Sequence, residues 1–285
     1  MRIGALIFPT DLSIRTDRLA REMEDRGYES LWVTEHTHIP TGRRTPWPGG
    51  TELPDEYRRT LDPFVGLAAA AAVTERLRLG TGICLVAQHH PITLAKAVAS
   101  LDLVSNGRFL FGIGIGWNED EMEHHGVVPA TRRAHVRESV LAMKGLWTEE
   151  AAGYDGDHVR FSASWSWPKP VQFPHPPVIM GGGGGPVTFR HIVEYCDGWM
   201  PIHGRRAAVF GRVGELRAAA EAAGRDPDSI ELGVFGCPID AEAVESYRAA
   251  GFTRAVIVLP SAGPDVVLPV LEAAVPLIEQ FSGVD

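Results

Sequence analysis

The chain has 285 residues, of which 45% are hydrophobic, a length that suits one large domain or two small ones. Its net charge of −9 argues against a nucleic-acid protein, which would carry a basic patch. Three cysteines, Cys84, Cys196 and Cys237, stand far apart with no CxxC pair, which supports neither a disulfide framework nor a zinc ribbon.

Strand-like and helix-like segments then alternate. Ile3 to Phe8 is the first apolar run, too short for the core of a signal peptide. Leu12 to Arg26 has helical spacing and is closed by Gly27. Ser30 to Thr34 is the second run, followed by a long loop holding Pro40, Pro46, Pro48, Gly49, Gly50 and Pro54. Leu61 to Thr74 reads as an alanine-rich helix, Leu77 to Leu85 as the third strand, and Ile92 to Ser105 as a helix stopped by Asn106-Gly107. Arg108 to Ile115 is the fourth strand. Arg133 to Glu150 is a helix with Val136, Val140, Met143 and Trp147 along one face. Hairpin strands are expected around Tyr154 and Val159. The fifth and sixth main strands are Val178 to Met180 and Gly198 to Ile202, with helices Val187 to Tyr195 and Ala207 to Ala223 after them. Ile230 to Phe235 and Arg254 to Leu259 complete the strands. The helices Ala241 to Ala250 and Asp265 to Phe281 follow them, the last with a kink expected at Pro276.

Eight such units without a break in composition predict an α/β fold, one (β/α)8 TIM barrel over residues 1–285 with loop insertions after strands 2 and 4; such barrels typically take ~250 residues. Buried parallel strands read as continuous apolar runs, as these do. The rival is a doubly wound sheet. Its G-x-G-x-x-G fingerprint fails here, because Gly112-Ile113-Gly114-Ile115-Gly116 is followed by Trp117. No apolar run approaches the ~20 residues of a membrane span, so a cytoplasmic protein with no membrane or nucleic-acid partner is expected.

Ligands of a barrel bind at the carboxyl ends of the strands. Those ends carry Glu35-His36-Thr37-His38, Gly82-Ile83-Cys84 with Gln88-His89-His90 beyond, Gly116-Trp117-Asn118-Glu119, the five glycines from Gly181, and His203. A glycine loop opening a helix at Pro186 lets backbone N–H groups approach an anion, which points to a phosphate-bearing cofactor or substrate. His36 is the best single candidate for a proton-moving group. Glu35 either anchors that ring or faces the barrel interior as a structural acid. Glu35, His36, His38 and His90 lack metal-ligand spacing, so no metal is expected. His124 and His125 lie in an acidic helical turn, Glu119 to Glu123, and are expected to be solvated. There is no G-x-S-x-G nucleophile elbow. Few nucleophiles and several backbone cradles fit an enzyme whose cofactor carries the chemistry.

LWVTEHTHIP, LDPFVGLAAAAAVTERLRLGTGICLV, ITLAKAVASLDLVSNGRFLFGIGIGWNEDEME, QFPHPPVIMGGGGG and CDGWMP, in that order over about residues 1–203, resemble the luciferase-like flavin and deazaflavin oxidoreductases, most closely the branch using coenzyme F420. The resemblance implies a role for Glu35 and His36 at the cofactor ring, where members commonly have Asp in place of Glu35. It implies a non-prolyl cis peptide at Gly82-Ile83 behind the ring. Gly116, Trp117 and Asn118 would line the cleft, and Gly181, Gly182, Gly183 and Gly184 would cradle the cofactor phosphate. The implied activity is hydride transfer between F420 and a small organic substrate, with an FMN-dependent monooxygenase as the alternative and a non-catalytic ligand-binding barrel as a third reading. Members are often dimers, so a homodimer is expected. Arg43, Arg44, Arg58 and Arg59 either meet the anionic F420 tail or are ordinary surface charge. The loop they lie in has the length and prolines of a lid. Trp47, Trp165 and Trp167 either wall a substrate pocket or pack loop to barrel.

Overall fold

Each apolar run that the sequence marks as a main strand is a strand in the computed structural model, which describes residues 1–281 without the side chains of residues 205–208. In chain order the elements are β1 (Arg2–Ile7), α1 (Thr16–Asp25), β2 (Ser30–Val33), α2 (Pro63–Ala71), β3 (Arg78–Thr81), α3 (Pro91–Val104) and β4 (Phe109–Ile113). Then come α4 (Glu119–His124), α5 (Arg132–Thr148), the hairpin β5 (Ala151–Asp155) and β6 (Arg160–Trp165), β7 (Val178–Gly181), α6 (Pro186–Tyr195) and β8 (Gly198–Met200). The chain closes with α7 (Arg206–Ala222), β9 (Glu231–Phe235), α8 (Ala241–Ala249), β10 (Arg254–Val258) and α9 (Pro264–Phe281). Eight strands pair in parallel in the closed order β1-β10-β9-β8-β7-β4-β3-β2, and β5 pairs antiparallel with β6 outside the barrel.

The barrel has two apolar layers. Leu6, Trp32, Leu110, Ile179, Met200, Phe235 and Val256 fill its interior, with Ile83 packed on them. The larger cluster lies between the strands and the surrounding helices. Trp32 dictates its neighbours. A Cβ on Gly80 would stand 2.4 Å from the Trp32 ring, so one large side chain across the barrel is matched by a missing one on the next strand.

The predicted boundaries shift where apolar residues continue past a strand. Leu77 to Leu85 is extended only over Arg78–Thr81; Cys84 and Leu85 are apolar because the following turn is itself buried. β8 stops at Met200, before Pro201, which has no N–H to donate. α1 starts at Thr16 rather than Leu12, because Ser13 and Thr10 close a turn on each other. The acidic helical turn read at Glu119 to Glu123 is α4, which extends through His124. α9 runs through both Pro269 and Pro276. The insertions stand where expected: a long segment between β2 and α2, and α4, α5 and the hairpin between β4 and β7. The hairpin follows α5 and leads into the start of β7, so it sits on the barrel side where strands begin. Trp165 and Trp167 are therefore remote from the carboxyl ends of the strands, and both are exposed. Among the described residues, no helix is long and apolar enough to cross a membrane.

Candidate active site

β2 delivers Glu35 and His36 to the mouth of the barrel, and the two side chains go different ways, as successive residues leaving a strand do. His36 Nδ1 lies 2.7 Å from Glu121 Oε2, with the two side chains 6% and 0% exposed. The other Glu121 oxygen accepts the Thr37 N–H at 3.2 Å. Glu121 is on α4, so a six-residue helix places the carboxylate that orients the histidine. Glu35 does not anchor the His36 ring. Its carboxylate accepts the Leu85 N–H at 2.5 Å and lies 2.7 Å from His89 Nε2. Burial alone would raise the Glu35 pKa, but the hydrogen bond and charge of His89, with the Leu85 N–H and the Cys84 thiol, hold it below the usual carboxylate range. Burial likewise opposes charge on His89, and Glu35 outweighs it, so the imidazole titrates above its ordinary value. Burial also pushes the Cys84 thiol well up. Glu35, Cys84 and His89 are the group of potential metal ligands brought together among the described residues; they hydrogen-bond among themselves.

The Gly82–Ile83 peptide is cis, as the sequence resemblance implied. Ile83 reaches over the mouth, where a Cβ on Gly114 or Gly181 would stand 1.7 or 2.6 Å from its side chain. Those two glycines leave the space that the Ile83 side chain occupies. Gly116 has φ +77°, a left-handed conformation that favours glycine. Next to it, Trp117 lies 5.9 Å from the His36 ring and 6.2 Å from Tyr57. Tyr57 comes from the long segment after β2 and lies 5.2 Å from His36, with Trp47 5.8 Å behind it. This segment therefore covers the mouth with aromatic side chains, and Trp47 belongs to it. Its arginines divide. Arg44 pairs with Asp120 and Glu123, and Arg58 and Arg59 pair with Asp55, Arg59 also with Asp11. Arg43 has no carboxylate partner among the described residues, and its guanidinium lies 5.6 Å over Trp117.

The glycine loop is pinned at one point and open at the next. The Gly182 N–H donates to the Met200 carbonyl at 3.3 Å, and the Gly182 carbonyl accepts the Trp199 indole N–H at 3.0 Å. A Cβ on Gly182 or Gly183 would meet nothing within 4 Å. Gly184 is different, since its Cβ would stand 2.7 Å from Phe189 and 3.0 Å from Arg212. The loop opens α6, whose first N–H groups have no partner within the helix. The Arg212 guanidinium sits 3.8 Å from the Cβ position of Gly185. An open cradle, a helix N-terminus and a guanidinium together fit a phosphate. Three buried oxygens near the carboxyl ends of the strands, Thr34 Oγ1, Gln88 Oε1 and Asn118 Oδ1, have no hydrogen-bond partner, as expected where a polar ligand supplies one.

The structure thus brings His36, Gly82, Ile83, Gly116, Trp117, Asn118 and the glycine loop to one end of the barrel, and turns Glu35 away toward His89. His203 is tied to the Tyr247 hydroxyl at 2.9 Å. Sequence reasoning missed Glu121, Tyr57 and Arg212. Glu121 sits among Glu119, Asp120 and Glu123, and only the register of α4 singles it out.

The fold is a closed parallel barrel with a buried histidine–carboxylate pair and an open glycine loop at its carboxyl mouth, the arrangement of a ligand-binding (β/α)8 barrel. The chain belongs to the luciferase-like monooxygenase family, whose profile matches residues 14–264, a family of flavin- and F420-using oxidoreductases. It is 43% identical over 270 residues to an uncharacterized protein of Mycobacterium tuberculosis, covering 93% of this chain and 94% of that one. It is 28% identical over 222 residues to an F420-dependent hydroxymycolic acid dehydrogenase of the same organism, covering 76% of this chain and 57% of that protein. In fold it resembles a monooxygenase from Streptomyces bottropensis, with a TM-score of 0.82 at 22% identity over 99% of this chain and 100% of that chain.

Proposed function

We propose that the protein is an F420-dependent oxidoreductase that moves a hydride between coenzyme F420 and a small organic carbinol or carbonyl compound. The observation that carries this reading is the buried His36–Glu121 pair at the mouth of the barrel. When bound, the deazaflavin supplies or accepts the hydride. The chain's own residues do the rest. Gly183 and the first turn of α6 hold the phosphate, with Arg212 supplying charge beside it. Ile83 and the Gly116–Asn118 segment wall the cleft. His36 gives or takes the proton at the substrate oxygen, and Glu121 orients its ring, a role that fits general acid–base catalysis. Tyr57, Trp47 and Trp117 close over the reactants and keep water from the ring. The likeness to an enzyme named for F420 supports the choice of cofactor.

Fluorescence titration of the purified protein with F420 and with FMN tests this reading. F420 is expected to bind at least tenfold more tightly, ~1.4 kcal/mol. A tenfold preference for FMN would overturn it in favour of an FMN-dependent monooxygenase, and binding of neither would leave a non-catalytic barrel.

A further inference from the structure

The geometry points to a proton relay: Thr37, His38, His124 and His125 connect bulk water to the buried His36–Glu121 pair. The inference rests on the function proposed above and adds to it a group of residues with a separate task.

The need follows from the chemistry. When a carbinol is oxidised, its C–H bond breaks and the hydrogen leaves with both electrons to the deazaflavin. The O–H bond breaks, its proton goes to His36, and the C=O bond forms. Reduction runs the same steps backwards. Either way each turnover leaves the buried pair one proton over or one short. His36 and Glu121 are 6% and 0% exposed, and in the proposed reaction substrate and cofactor would cover the remaining side.

The outlet lies behind Glu121. Thr37 donates its N–H to that carboxylate, and its hydroxyl lies 2.7 Å from His125 Nε2 and 3.0 Å from His38 Nδ1. His38 Nε2 is 2.9 Å from His124 Nδ1, and these two rings stack with centroids 5.1 Å apart. Both nitrogens of His38 are therefore engaged. A ring so placed accepts a proton on one nitrogen and releases one from the other. His124 and His125 are exposed, so the chain of rings ends in solvent. At the inner end the contact shown is the Thr37 N–H on Glu121, so the path requires one water to bridge the Thr37 hydroxyl and that carboxylate.

The charged neighbours leave the histidines available. Asp120 and Glu123, on the same helix, are taken by Arg44, and Arg43 lies against Trp117. The charges acting on His125 are those of His38 and His89, which oppose its protonation, and those of Glu121 and Glu35, which favour it. Burial and the two histidines outweigh the carboxylates and hold it below its ordinary value. A purely structural latch between the β2 loop and α4 would need the hydrogen bonds but not the imidazoles.

That difference sets the test. Glutamine keeps a hydrogen-bonding side chain and cannot relay through two ring nitrogens. The triple variant His38→Gln, His124→Gln, His125→Gln, and His125→Gln alone, are compared with the wild type by NMR of 15N-histidine-labelled, cofactor-free protein. The readout is the exchange rate of the His36 ring N–H with water. In dilute phosphate buffer at pH 7 the triple variant is expected to exchange at least fivefold more slowly, and added imidazole to restore the rate. In the cofactor-loaded enzyme, turnover should fall and recover in parallel, with KM unchanged. Wild-type exchange in the triple variant, or slow exchange that imidazole does not restore, would overturn the relay. If the wild type proves inactive with F420, the proposed function fails, and the exchange measurement still decides the relay.

Discussion

At the residue scale, the site rests on one histidine and one carboxylate that arrive from distant parts of the chain. His36 was visible in the sequence because it stands directly after a strand; its partner was not, since four acids crowd the turn after β4 and only helix register separates them. The pairing makes a paired prediction. His36→Ala is expected to lower turnover by roughly 10²–10⁴-fold, the usual worth of a positioned acid or base. Glu121→Gln, which keeps the hydrogen bond but removes the charge, should lower turnover with cofactor affinity largely retained. Steady-state kinetics at saturating cofactor check both, and a His36→Ala enzyme with normal turnover would remove the histidine from the chemistry. The glycines offer a sharper contrast. Gly182 has φ +102°, so any side chain there strains the backbone as well as filling the cradle. Gly183 faces open space without that conformation. Gly183→Val should therefore weaken cofactor binding while the melting temperature holds, whereas Gly182→Val should lower both. Titration and thermal denaturation on the two variants separate the effects.

At the scale of elements, Glu35 is the tie between β2 and the turn after β3. It accepts the Leu85 N–H, two residues beyond Ile83, and so fixes the segment that walls the cleft. Its acidity was legible in the sequence, and so was its place at the mouth. Its direction was not, because that depends on where His89 ends up once β3 has turned. The pair has a defined pH window. His89 titrates above its ordinary value, so its contribution is complete below the unfolded histidine value and is lost as pH rises through the raised one. Glu35 titrates below its ordinary value, so its contribution is complete above the unfolded carboxylate value and is lost as pH falls through the depressed one. His89→Gln should cost about 3 kcal/mol, the lower end for breaking a buried pair, since His89 is 22% exposed. It should also remove this pair's part of the alkaline loss of stability. Urea denaturation across pH decides this, and an unchanged alkaline limb would mean that the pair is not charged in the folded protein.

At the scale of the whole molecule, the barrel was the most legible feature, because buried parallel strands need apolar residues on both faces and the sequence supplies eight such runs. What holds the closed end was hidden, since it depends on charges that meet only when the first and last strands pair. Arg254 begins β10, opposite Arg2 of β1 and Gly233 of β9. It is fully buried and binds Glu29 at 2.8 and 2.9 Å and also Glu231, with its guanidinium 5.7 Å over Trp32. Arg2 reaches Glu231 at 3.1 Å from the barrel rim. Burial would raise the Glu29 pKa, but the charge and hydrogen bonds of Arg254 hold it below the usual range, so this contribution is present at neutral pH and is lost as pH falls through the depressed value. Arg254→Met keeps bulk in the barrel and leaves Glu29 without its main partner; it should cost about 3–5 kcal/mol, because an uncompensated charge remains buried. Adding Glu29→Gln and Glu231→Gln removes those charges and should recover much of the loss. The gap between the single and triple variants should be widest at neutral pH and close as pH falls, because protonation removes the uncompensated charge of the single variant. Urea denaturation of the three proteins from neutral to acid pH measures this. If Arg254→Met alone proves as stable as the wild type, Arg2 is sufficient to hold both carboxylates and the barrel does not depend on the buried arginine for its closure.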